Sequence, residues 1–335
     1  MKRNQMENHV TRLQRFACAA MAASFAAWSG LGAATAQDFP SRPIRMVIAF
    51  PAGGPTDFVG RLLADKLKDT FGQVIIENKP GANGAIGADA VAKSPPDGYT
   101  LFLSTVGAIA ITPNMRTDLP YDTLRDFAPI TLVVRNTTIL VVRADSPVNS
   151  AKEFVAMAKA KNGDLPFATT GVGSTTHLAT EMFATAGGFK YVHVPYRGAA
   201  PALTDLLGGQ VAAFFADAPV LMPQIAAGKV KPLGAASGQR NPMLPDVPTL
   251  AEAGYPDTAS DNWYGLLAPA KTPPAIIAKL HAAFVAAVND PVVKDKLIKS
   301  GAIPVADTPE QFGQILKDEI ARWGKLVREK GIKEG

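Results

Sequence analysis

The sequence predicts an α/β protein made of two consecutive α/β halves, and three observations carry that expectation. Short β-rich runs alternate with segments of helical apolar spacing along most of the chain after Asp38. Such alternation implies βαβ units and a mainly parallel sheet flanked by helices. The pattern restarts after Ala128-Pro129-Ile130, and each half holds one glycine-rich loop between a strand and a helix.

The first half reads as a strand over 44–50, a helix over 58–70 with Leu62, Leu63 and Leu67 on one face, and a strand over 74–77. A helix over 86–93 and a strand over 99–103 follow. Two strands, 131–134 and 139–143, lead into the second set: a helix over 151–161, a strand over 166–170 and a helix over 175–186. A strand over 191–194, a helix over 200–207 closed by Gly208-Gly209, and a strand over 211–216 complete it. The pattern returns to a strand over 263–268, and from Pro274 onward the chain reads as largely helical.

The first 36 residues stand apart. Lys2, Arg3, Arg12 and Arg15 make a basic head, and an uncharged run rich in Ala, Phe, Met and Trp ends at Ala34-Thr35-Ala36. This is the pattern of a secretory signal peptide, cleaved near Ala36. The run is short and Ala-heavy for a membrane anchor, which needs about 20 strongly apolar residues. Cys18 precedes most of the apolar run, against a lipoprotein. Cleavage removes the single cysteine, and with it disulfide and thiolate chemistry. It also removes four bases and one acid, lowering the net charge from +5 to +2. No basic cluster remains to suggest nucleic acid. Three histidines in unrelated contexts argue against a metal site, and no cofactor motif stands out.

The two glycine-rich loops carry the functional expectation. One strand runs through Phe50 into Pro51-Ala52-Gly53-Gly54-Pro55-Thr56-Asp57 and then a helix; the other runs into Gly171-Val172-Gly173-Ser174-Thr175 and the helix bearing His177. Glycines allow positive φ and close approach of a ligand, and a helix start offers free N–H groups and a dipole to an anion. Two such loops, one per half, can grip one anion from opposite sides. Asp57 would repel a carboxylate, so it is expected to cap its helix or hold a loop amide. Asp217, ending a buried strand, is a further cleft candidate. Arg197 reads equally as an anion partner or an ordinary surface arginine. Gly81-Ala82-Asn83-Gly84-Ala85-Ile86-Gly87 is GxxGxxG and lacks the dinucleotide spacing. Ser174 and His177 could suggest a hydrolase or isomerase in the same cleft, but there is no G-x-S-x-G elbow, and His177 reads as a helix-face residue near the cleft. His193 reads as a satisfied core histidine.

At these residues the chain resembles the Bug family, the extracytoplasmic receptors of tripartite tricarboxylate transporters. The marks are Phe50-Pro51-Ala52-Gly53-Gly54 with Asp57, Glu77-Asn78-Lys79-Pro80-Gly81-Ala82, and Pro96-Asp97-Gly98-Tyr99-Thr100. Gly173-Ser174 with His177-Leu178, Tyr196-Arg197-Gly198, Pro245-Asp246-Val247-Pro248-Thr249 and Trp263-Tyr264-Gly265-Leu266 continue the series. The resemblance implies an α/β type II periplasmic-binding-protein fold: two α/β domains joined by two crossovers, with a ligand cleft between them. The expected boundaries are 1–36 for the signal, 38–138 plus 264–335 for the first domain and 139–263 for the second, with hinges near 134–142 and 262–267. It implies that Phe50, Gly53, Gly54, Thr56, Asp57, Gly171, Gly173, Ser174, Thr175, His177 and Asp217 form the carboxylate site, with Ser104, Thr105 and residues near Asp261 and Asn262 expected to read the distal end of the ligand. The expected ligand is a di- or tricarboxylate, an amino acid or an aromatic acid, delivered by a periplasmic monomer to permease subunits without chemical change.

Overall fold

The computed structural model describes residues 39–332, so the signal-peptide reading of 1–36 lies outside the described residues. Two sheets organise the chain. The first has strand order β11-β4-β10-β3-β1-β2, from β1 (Ile44–Ile48), β2 (Val74–Asn78), β3 (Thr100–Thr105), β4 (Phe127–Asn136), β10 (Asn262–Pro269) and β11 (Ala302–Pro304). The second has order β7-β6-β8-β5-β9, from β5 (Thr138–Arg143), β6 (Pro166–Thr169), β7 (Val192–Pro195), β8 (Ala213–Asp217) and β9 (Val230–Ala235). The chain leaves the first sheet at Thr137, between β4 and β5, and re-enters it at β10. These two passages are the double crossover.

The sheets are mixed, which corrects the expectation of a mainly parallel one. β1 pairs in parallel with β2 and β3, whereas β10 runs antiparallel to both β3 and β4, and β11 is antiparallel to β4. In the second sheet β6 is parallel to β7 and β8, and β5 is antiparallel to β8 and β9. At β5 and β10 the crossover accounts for this: each enters its sheet from the other lobe and runs opposite to the βαβ strand it meets, β8 and β3. Two strands escaped the sequence pattern. β9 carries Pro232 and Gly234, which mark edge or irregular strands. β11 has only three residues and interrupts the C-terminal segment expected to be largely helical.

The long helices are α1 (Pro55–Lys66), α2 (Ala85–Ala92), α3 (Ala151–Ala160), α4 (Thr175–Gly187), α5 (Ala199–Leu207) and α6 (Ala218–Ala226). Beyond β10 come α7 (Pro274–Asn289), α8 (Pro291–Lys299) and α9 (Pro309–Lys330). α9 opens with a capping box, in which Thr308 accepts from Gln311 N–H and the Gln311 side chain accepts from Thr308 N–H. Its Phe312, Leu316 and Trp323 are buried against the first sheet, where Phe312 meets Trp263 edge-on at 5.5 Å. β10 is buried at every residue because α9 covers one face and the rest of the lobe the other. The second lobe centres on Phe154, Phe167, Phe183 and Phe215, stacked or edge-on at 5.5–6.0 Å. Two rigid cores thus carry the loops that face each other.

Candidate functional site

The carboxyl ends of β1, β3, β6 and β8 face one cavity, where open α/β sheets hold their ligands. Three helices begin at its wall with different caps. α1 starts after Gly54 and α5 after Gly198, and neither has a side-chain cap. At α4 the Ser174 Oγ accepts from His177 N–H at 3.2 Å, so the N–H groups of the first turn before His177 stay open. Thr56 comes from the first of these helix starts, Ser174, Thr175 and Thr176 from the second, and Ala199 and Ala200 from the third. Open N–H groups and aligned dipoles from three directions favour an anion. Arg197 lines both this cavity and an adjoining one that shares Phe50, Asn83 and Gly198 with it, and makes no ion pair among the described residues.

The two glycine loops have one internal design. Gly53 and Gly173 have φ of +78° and +73°. Gly53 N–H donates to Asp57 Oδ2 at 2.9 Å, and Gly173 N–H donates to His177 Nδ1 at 3.2 Å. Both amides are therefore engaged inside the loops. Asp57 holds a loop amide and also accepts from Arg61 at 2.8 Å and Asn78 at 3.0 Å. Burial pushes the Asp57 carboxyl up, but the hydrogen bonds from Arg61, Gly53 and Asn78 outweigh it and keep the group below its usual range.

Of the residues expected in the site, Phe50, Gly54, Thr56, Ser174, Thr175 and Asp217 line this cavity, and Gly171 lines the adjoining one. Gly53, Asp57, Gly173 and His177 stand behind it as loop supports. Ser104 is fully buried with its hydroxyl on Thr105 O at 3.3 Å, and its neighbour Thr105 is the residue that faces the cavity. Successive strand residues face opposite sides, so an error of one position reverses the face. Thr105 and Asn262, expected toward the distal end of the ligand, do line the cavity; Asn83 and Tyr264 were not expected there, and Arg197 was left undecided. Asn83 adopts φ +46° and donates from Nδ2 to Gly173 O at 2.7 Å and Thr112 Oγ1 at 3.0 Å, which joins the lobes across the cleft.

Asp217 forms the floor of the cavity, between the sheets. Its Oδ2 accepts from Tyr264 OH at 2.6 Å and Asn262 Nδ2 at 2.7 Å, both on β10, and its Oδ1 accepts from Thr138 at 3.4 Å. Burial raises its pKa to about 6 in spite of these donors. The folded protein therefore binds this proton more readily than the unfolded chain does. This group's contribution to stability falls as pH rises through the window from about 4 to about 6. Asp217→Asn is expected to flatten that segment of the Tm-against-pH curve and to raise Tm at pH 8 relative to the parent. An unchanged slope between pH 4 and 6 would contradict the assignment. A carboxylate kept at such cost in a cavity wall points to function more than to packing.

A two-sheet α/β fold crossed twice by the chain, with an anion-ready cleft at the strand ends, defines a solute-binding protein of the periplasmic type. The chain belongs to the tripartite tricarboxylate transporter family of receptors (TctC), whose pattern it matches over residues 59–332. It is 39% identical to protein BugT of Bordetella pertussis over 312 residues, 92% of this chain and 96% of that one. The structure of the periplasmic binding protein BugD is 35% identical with a TM-score of 0.84, covering 89% of this chain and 100% of that one. MatC of Rhodopseudomonas palustris, solved with bound malate, is 34% identical with a TM-score of 0.81, covering 86% of this chain and 100% of that one. The protein is thus a solute-binding receptor of the Bug type.

Proposed function

We propose that the protein is exported, captures a small carboxylate in the cleft, and presents it unaltered to the permease subunits of a tripartite tricarboxylate transporter. The observation that carries this reading is the meeting of uncapped helix starts from both lobes, with Arg197, on one cavity. Dicarboxylates fit first: malate occupies MatC, and a second carboxylate would lie toward Arg197. The direct contacts are assigned to the loop at Gly54 and Thr56, to Ser174 and Thr175, and to Arg197. Phe50 supplies apolar wall.

The lobes are taken to be residues 38–138 plus 264–335 and residues 139–263, moving about the two passages of the chain. A ligand touching both lobes favours the closed arrangement by its differential contacts, and hinge closure is the expected motion. The closed monomer is then the form a permease recognises. Turnover is not part of this reading. Ser174 Oγ is turned to Gly171 O at 2.7 Å, and His177 Nδ1 is occupied by Gly173 N–H, so the two do not pair as nucleophile and base.

Arg197→Ala tests the reading. Its side chain is exposed, so Tm should stay within the small range of surface substitutions. Calorimetry should show affinity for malate or another dicarboxylate reduced about tenfold or more, as for the loss of one charge-assisted hydrogen bond. Unchanged affinity for every carboxylate that binds the parent would remove Arg197 from the site.

A further inference from the structure

The two cleft loops are built alike but anchored by different chemistry. Each has a glycine near φ +75° whose N–H goes to the side chain four residues on. In the first loop the acceptor is the Asp57 carboxylate, held ionised and so always an acceptor near neutral pH. In the second it is the imidazole of His177, which accepts at Nδ1 only while neutral, since both ring nitrogens of an imidazolium carry protons. With Nδ1 facing Gly173 N–H, the ring proton sits on Nε2, which is 3.7 Å from Glu181 Oε1.

The surroundings of that ring are defined. Glu181 lies on the same helix and accepts from Tyr191 OH, and the interaction with His177 holds its carboxyl below the usual range. His193, on β7, stacks on His177 with ring centres 4.1 Å apart and planes 1° from parallel. Burial, then the neighbouring His177, pushes His193 down to about 4, and its Nε2 pairs with Thr169 Oγ1 at 2.7 Å. Glu181 is therefore the charged group facing His177, with Tyr191 and His193 neutral beside it. Gly173 in turn accepts the Asn83 bond from the opposite lobe.

We propose that His177 is a positioning residue for the ligand loop: its neutral ring holds the turn at Gly173, and a proton on Nδ1 releases it, so affinity falls on acidification. This rests on the cleft being a carboxylate receptor. His177 does not line the cavity; it acts through Gly173. Protonation sets two N–H groups against each other and frees the turn that also bonds Asn83.

The test has two arms. The first needs no ligand: nitrogen-15 NMR of the free full-length protein between pH 8 and 5. At pH 8 His177 should be the Nε2–H tautomer, and the Gly173 amide signal should move together with the His177 titration. His177→Asn, whose carboxamide oxygen can still accept from Gly173, should make the Gly173 signal insensitive to pH. The second arm is calorimetry with malate as probe. Affinity should weaken about tenfold in the parent between pH 8 and 5, the loss of one hydrogen bond, and clearly less in His177→Asn. Malate's own protonation and that of Asp217 are common to both proteins, so the difference between parent and His177→Asn isolates the His177 contribution. A Gly173 signal that follows the same pH course in His177→Asn as in the parent overturns the proposal, as does an equal loss of affinity in both. Intact coupling of His177 and Gly173 with no malate heat at any pH supports the positioning arm and counts against the carboxylate reading alone.

Discussion

Gly173→Val is expected to weaken carboxylate binding by about two orders of magnitude while the protein still folds. The backbone at Gly173 has φ +73°, a region that a β-branched residue almost never occupies. A Cβ there would also lie 2.9 Å from Met115 Sδ, on the opposite lobe. The loop must leave its conformation, and the bonds to His177 Nδ1 and Asn83 Nδ2 go with it. Two hydrogen bonds and the lost alignment of the α4 start sum to about 3 kcal/mol, or roughly 100-fold in affinity. Gly53 supplies the contrast. It has similar φ, but a Cβ there meets nothing within 4 Å. Gly53→Ala should therefore cost only the backbone strain, about 1 kcal/mol. Calorimetry and Tm on the pair check this; equal losses of affinity in Gly53→Ala and Gly173→Val would mean that the cross-lobe contact is irrelevant.

Gly265→Ala is expected to produce the largest loss of stability. Gly265 lies on β10 beneath Phe312, and an added Cβ would fall 2.1 Å from its Cζ and 2.8 Å from both Cε atoms. That ring is fully buried and wedged edge-on against Trp263, so it has nowhere to turn. Relief requires moving α9 away from the sheet. Overpacking of a closed core costs about 3 kcal/mol, which for a chain of this size lowers Tm by roughly 5 °C. Thermal unfolding measures it directly. A second change, Phe312→Leu, should recover part of the loss by making room, and a failure of the pair to couple would contradict the packing argument. The Trp263-Tyr264-Gly265-Leu266 run thus has a physical reason: Trp263 fills the core, Gly265 admits Phe312, and Tyr264 reaches Asp217.

The legible parts of this protein were those with local causes. The β1–α1–β2 alternation and the two glycine loops are written in consecutive residues, because turn chemistry, caps and period all act within a few positions. What escaped depends on partners far along the chain. Asn83 meets Gly173 across 90 positions and Tyr264 meets Asp217 across 47. The helix start at Gly198 has no Ser, Thr or Asp cap, so nothing advertised it as a third anion-facing terminus, and Arg197 beside it stayed ambiguous. Ser104 and Thr105 were expected together where Thr105 alone of the two lines the cavity, because strand register cannot be known before the sheet is assembled. β9 was hidden by Pro232 and Gly234, residues tolerated there because it is an edge strand. The antiparallel entry of β5 and β10 follows from the double crossover, which no periodicity reports.

The most direct test of the account is a titration of the purified protein with malate and with longer and shorter dicarboxylates, followed by small-angle scattering at saturation. A solute clamp should show saturable one-to-one binding by at least one carboxylate, a smaller radius of gyration in the complex, and recovery of the ligand chemically unchanged. Saturation without compaction would contradict the clamp, and an altered ligand would replace the receptor reading with a catalytic one.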